Sequence, residues 1–230
     1  MKRTTLYNLI FIFLLIPGTL FLGTRLTGRW YYLTSTLIII ETMIPFFLAF
    51  ESRKPQAREL VTIAVMCALA VASRVVIPIP NFKPIIAIIM ITGIAFGAQT
   101  GFMTGAVSAF ASNFFYAQGP WTPWQMMAYG MAGLLTGLLL HKRRRLCHPA
   151  ILSVYGFVVS LLLVGPLLDC STLFTTGSAL SWRFAIAVFA AGFPHNLTQA
   201  LACAVTLLLL SKPFLYKLDR LKGKYGMLET

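Results

Sequence analysis

Acidic side chains are scarce in this chain: six Asp and Glu stand against 19 Lys and Arg in 230 residues. Most of the six lie near the ends of apolar runs, so a carboxylate dyad or a proton relay is poorly supported. Charge of either sign is sparse, at 11% of residues, too little to cover the surface of a soluble domain. The four cysteines, Cys67, Cys147, Cys170 and Cys203, have neither metal-ligand nor disulfide-framework spacing. Cys147-His148 and His141 bracket a basic run, but a zinc site is not expected there. No Gly-rich run ends in Gly-Lys-Ser/Thr, which excludes ATP hydrolysis by a phosphate-cradling loop. His-Glu-x-x-His and Gly-x-Ser-x-Gly are missing too. These absences disfavour an enzyme, and no cofactor is expected.

Apolar residues are what the chain has in quantity. They make up 58% of it, with a mean hydropathy of +0.80, and an integral membrane protein follows. The net charge of +13 does not point to nucleic acid, because nearly all the Lys and Arg sit in short segments between apolar runs. Spans of about 20 residues are expected near 6–22, 31–50, 60–77, 124–140 and 150–168. The uncharged stretch 84–116 is too long for one span, and Gly97-Ala-Gln-Thr-Gly101 divides it into short helices at 85–98 and 101–115. The last span, 182–210, is expected to be interrupted at Gly192-Phe-Pro194.

The charges test that count of eight. With the N-terminus in the cytoplasm, the inner segments hold Lys2, Arg3, Arg53, Lys54, Arg58 and the run 142–145. They also hold Lys212, Lys217, Arg220, Lys222 and Lys224. The outer segments hold Arg25, Arg29, Lys83 and Arg183, with Arg74 near a span's outer end. This asymmetry obeys the positive-inside rule and puts both termini inside. The expected divisions are two N-terminal spans (1–52), a six-helix core (53–212) and a basic cytoplasmic tail (213–230).

Four constellations stand out. Ala64, Ala68 and Ala72 form a small-residue ladder along one helix face, suited to close approach of another helix or to contact inside the bundle. Arg74 lies about 200° round from Ala72 by helix geometry and so faces away from the ladder. Gly93/Gly97, Gly101/Gly105 and Gly133/Gly137, each four apart, favour tight internal packing over dimerisation. His195 and Gln199 share a face just past Pro194, beside Asn196, and either line a cavity or satisfy a broken backbone. Glu41, within the second span, needs a partner. The fourth is the uncharged stretch 113–126, Asn-Phe-Phe-Tyr-Ala-Gln-Gly-Pro-Trp-Thr-Pro-Trp-Gln-Met. Its rings, amides and prolines have the make-up of a binding surface. Trp121 and Trp124 suit either ligand contact or anchoring at the lipid interface.

Several of these runs resemble the substrate-binding S components of energy-coupling factor (ECF) vitamin transporters. They are Ala57-Arg-Glu-Leu60 with the Ala ladder, Asn81-Phe-Lys-Pro84, Asn113-Phe-Phe and Gly119-Pro-Trp-Thr-Pro-Trp-Gln-Met126. Gly192-Phe-Pro-His-Asn196 and the closing run 217–226 are similar as well. The resemblance covers about 57–226, containing six of the eight spans, and the two N-terminal spans depart from it.

It implies an all-α membrane protein of the plasma membrane of a bacterium: a six-helix S-component-like bundle with two extra N-terminal transmembrane helices. Such a protein captures a vitamin-like compound at its outer face. It docks through Ala64, Ala68 and Ala72 on a transmembrane coupling protein driven by two cytoplasmic ATPases, and topples in the bilayer to deliver its ligand. The substrate-binding residues so implied are Arg74, Asn81, Lys83, Asn113, Tyr116, Gln118, Trp121, Trp124, Gln125, His195 and Asn196. The subgroup looks most like S components for cobalamin or related corrinoids, with riboflavin or a queuosine-type base as alternatives. Outside the resemblance stand an intramembrane enzyme using His195 and Glu41 on lipid or prenyl substrates, and a membrane assembly scaffold.

Overall fold

Twelve successive residues from Ile85 to Phe96, eleven of them apolar or glycine, leave this helix no polar face to turn outward. A helix apolar all round belongs in an interior, and every residue of it is buried. The rest of the bundle is built around it. A computed structural model of the chain describes residues 30–52, 57–175 and 181–225. The expected span 6–22 and the basic residues Arg53 and Lys54 lie outside the described residues.

In chain order the helices are α1 (Trp30–Ser52), α2 (Ala57–Val76), α3 (Ile85–Phe96), α4 (Ala98–Tyr116) and α5 (Thr122–Leu140). A short 3₁₀ turn (Arg144–Leu146) leads into α6 (Pro149–Val159), a π-helical segment (Ser160–Val164), α7 (Gly165–Thr175) and α8 (Trp182–Tyr225). No strand occurs among the described residues. Three of the described stretches are long and apolar enough to cross a membrane: Ala57–Val76, Pro149–Phe174 and Trp182–Lys224.

α3 and α4 meet at Gly97, whose φ of 92° lies where a side chain is strained, so a reversal is possible within one residue. The buried C-terminal end of α3 takes its caps from distant parts of the chain. His141 Nδ1 lies 2.9 Å from the Ile94 carbonyl oxygen, and Lys222 Nζ donates to the Ala95 carbonyl. Orphaned carbonyls at a helix end need such partners. These two contacts tie the ends of α5 and α8 to α3.

The glycine pairs serve internal packing. A β-carbon on Gly101 would lie 2.6 Å from the Gly133 carbonyl oxygen, and one on Gly133 would overlap the Gly101 carbonyl. α4 and α5 thus touch backbone to backbone. α1 lies on the outside of this pair, where Phe46 stacks on Phe102 with centroids 4.4 Å apart and Phe47 meets the same ring edge-on at 6.1 Å.

Two expectations need correction. α8 is not interrupted at Gly192-Phe-Pro194, and it does not stop near 210: it runs 44 residues through Pro194 and Pro213. A proline removes one rung of the helical ladder. Here Asn196, Gln199, Ala200 and Cys203, all buried, hold the helix immediately beyond it. Residues 213–225 continue that helix, with Leu215 and Leu218 buried. The span expected at 150–168 extends from Pro149 to Phe174 through the π-helical segment.

Candidate functional site

The implied binding residues fall into two groups. The first is a polar network that fastens the loop between α4 and α5. Arg74 leaves α2 on the side away from the alanine ladder and donates to Ser112 Oγ and, at 3.0 Å, to Asn113 Oδ1. Its guanidinium lies 4.7 Å from the centre of the Tyr116 ring, and the Tyr116 hydroxyl donates to the Arg74 carbonyl at 2.8 Å. Lys83 covers the same ring at 5.8 Å and donates to the Ile77 carbonyl at 2.7 Å. Such cation–π contacts hold loops without burying a bare charge.

Thr122 is the hub of this network. Its hydroxyl accepts from Asn113 Nδ2 at 3.0 Å and from the Gly119 amide at 3.2 Å, and donates to Gln118 Oε1 at 3.0 Å. That is the full capacity of a hydroxyl. Gln118 also donates to the Phe110 carbonyl at 3.0 Å. Asn113, Tyr116 and Gln118 therefore fix the loop, with Ala117 in a left-handed conformation at φ 73°. Asn81, exposed at φ 60°, shapes the turn between α2 and α3.

The second group surrounds a cavity of about 300 Å³ between α5, α7 and α8. Trp121, just before α5, and Gln125 from within it line one side, and His195 and Asn196 line it from α8. Asp169 and Ser171 face them from α7. The loop network sets the start of α5 and so carries Trp121 and Gln125 to this wall. Trp124 is buried behind it, stacked on Phe174 with centroids 5.4 Å apart and 17° between planes. Gln125 and Gln199 each donate to the Tyr129 hydroxyl, at 3.2 and 3.0 Å. Asn196 Nδ2 donates to Asp169 Oδ2 at 2.7 Å.

Sequence reasoning passed over Asp169 and Tyr129. The one available signal for Asp169 was a lone acid in the run Leu168-Asp169-Cys170, at the end of an apolar segment. An ionisable group at such depth has a function or a partner.

The alanine ladder lies elsewhere. Ala64, Ala68 and Ala72 are all exposed on α2, opposite the buried Ile63, Met66 and Ala70. His141 and His148 are occupied in capping: His148 Nδ1 accepts from the Ala150 amide at 3.4 Å.

Among the described residues the helical bundle has three helices of membrane-spanning length and a polar cavity near its loop end, which suits a membrane-embedded binding subunit. The family model of the ECF-type riboflavin transporter S component matches residues 54–215, and the chain belongs to that family. Searches of the curated proteins and of the solved structures found no match. S components are substrate-binding transport subunits, not enzymes. The family works with an ECF module of a transmembrane component and ATPases, and takes a small vitamin-type substrate.

Proposed function

We propose that this S component captures a vitamin with a planar heterocycle of flavin size in the cavity between α5, α7 and α8, and releases it inward when docked to its ECF module. The observation that carries the reading is the cavity itself. It holds about 300 Å³, at the lower end of the usual range for small-molecule sites. An aromatic plane, Trp121, stands at its edge, and amides line its depth. A corrinoid, with its macrocycle and nucleotide loop, is far larger than this space, and the family is of riboflavin type. Both facts weigh against the cobalamin expected from the sequence.

In this reading the loop end with Trp121 faces outward and the basic end with Lys142, Lys217 and Lys222 faces the cytoplasm of a bacterium, as the charge asymmetry supports. Eight spans and cytoplasmic termini belong to the same proposal, with the chain multi-pass in the plasma membrane. The exposed Ala64, Ala68 and Ala72 form the docking face.

Mass spectrometry of small molecules that co-purify with the protein tests the substrate, alongside titration with riboflavin followed by flavin fluorescence. Quenching at sub-micromolar riboflavin, reduced by Trp121→Ala, is the expected result. A co-purifying corrinoid, with no response to riboflavin, would reject the proposed size class.

A further inference from the structure

The Asp169 carboxylate has one oxygen spent and one to offer. Asp169 lies in the membrane-length stretch Pro149–Phe174, and its Oδ2 accepts from Asn196 Nδ2 at 2.7 Å. Its Oδ1 occupies the space that a β-carbon on Gly192 would fill. Gly192 and Asp169 both line the cavity between α5, α7 and α8, so the bare glycine brings this oxygen to the cavity wall. Oδ1 has no hydrogen-bond partner among the described residues, and it keeps accessible surface although Asp169 as a whole is only 8% exposed. An ionised group at such depth is costly until it is paired. Asn196 meets half of that need.

His195 follows Gly192 on α8 and lines the same cavity. It is exposed and makes no hydrogen bond among the described residues. It lies near enough to Asp169 for the two to interact electrostatically, without forming an ion pair. An imidazole carries an N–H in either protonation state. This corner of the cavity therefore presents an acceptor and a donor side by side. A hydroxyl satisfies both at once, giving its proton to Oδ1 and accepting from the ring, whereas an ammonium can only give.

We infer that Asp169 and His195 form a specificity corner that takes a hydroxyl of the ligand's side chain, so that the cavity reads a hydroxylated chain as well as a ring. The inference rests on the cavity being the substrate site, as proposed above. It goes further in naming the part of a flavin-size vitamin that meets α7 and α8, and the two side chains that select it. Asn196 acts behind them, holding the carboxylate in place through Oδ2.

The test compares riboflavin, which carries a hydroxylated chain, with lumiflavin, which has the same ring and a methyl group in place of the chain. The wild-type protein should bind riboflavin more tightly by on the order of tenfold, the usual scale for a hydrogen bond to a charged group. Asp169→Ala and His195→Ala should each cut that preference at least threefold by weakening riboflavin. The double variant should cut it little further than Asp169→Ala alone, because both side chains act on one hydroxyl. His195→Ala removes an exposed ring and reads the corner even where Asp169→Ala loosens the fold. A purely structural role would weaken both flavins alike and leave their ratio unchanged. An unchanged ratio in His195→Ala, or losses that multiply in the double variant, overturns the assignment. Equal binding of the two flavins by the wild-type protein overturns the corner and leaves the flavin-size reading standing. If the wild-type protein binds neither flavin, that reading fails and the corner falls with it.

Discussion

At the scale of single residues, the loop of this protein depends on a few side chains that use all their hydrogen-bonding capacity. The Thr122 hydroxyl makes three bonds, to Asn113, Gly119 and Gln118. Thr122→Val keeps the shape and removes all of them, leaving the buried Asn113 amide short of an acceptor. A loss of about 2 kcal/mol is expected, read as a lower melting temperature in detergent, while Thr122→Ser stays near wild type. If the two variants melt alike, the hydroxyl is not the hub. Arg74 was legible by geometry alone, since its angular offset from Ala72 turned it into the bundle. Asp169 was not legible. Nothing in the local sequence separates an acid at a span end in water from one facing Asn196 27 positions later.

Elements follow the apolar pattern where packing is local and depart from it where packing is distant. The reversal at Gly97 could be read from an uncharged run too long for one helix. The glycine spacing likewise announced tight internal packing, which takes the form of backbone contact between α4 and α5. Proline misled, because Pro194 predicts a break from the chain's own chemistry while α8 is held by α3, α6 and α7 on the far side. At the α4–α5 seam there is no space for one extra methyl group. Gly133→Ala should cost about 2 kcal/mol, at the usual scale for overpacking, and lower the melting temperature accordingly. Gly223→Ala, with nothing within 4 Å, is the control. It should be neutral, or gain at most ~1 kcal/mol of helix propensity. Equal melting of both variants would mean that the seam can open at no cost.

For the whole molecule, the cavity and the alanine face are separate parts of the surface, which makes their functions separable by mutation. Ala64→Trp with Ala68→Trp should abolish vitamin uptake in cells expressing the complete ECF module and leave ligand binding by the isolated protein within twofold. Uptake that survives the double substitution removes the docking role from this face. α3 also bears on how the molecule enters its membrane. Its 12 residues extend about 18 Å along the axis, well short of a hydrocarbon layer of roughly 30 Å. The insertion machinery therefore meets in α3 a segment that cannot settle across lipid by itself, and whose Ile94 and Ala95 carbonyls find partners only in residues synthesised more than 45 positions later, His141 and Lys222. The finished setting of α3, the central helix of the bundle, thus needs the far end of α8 as well as the end of α5 to be in place.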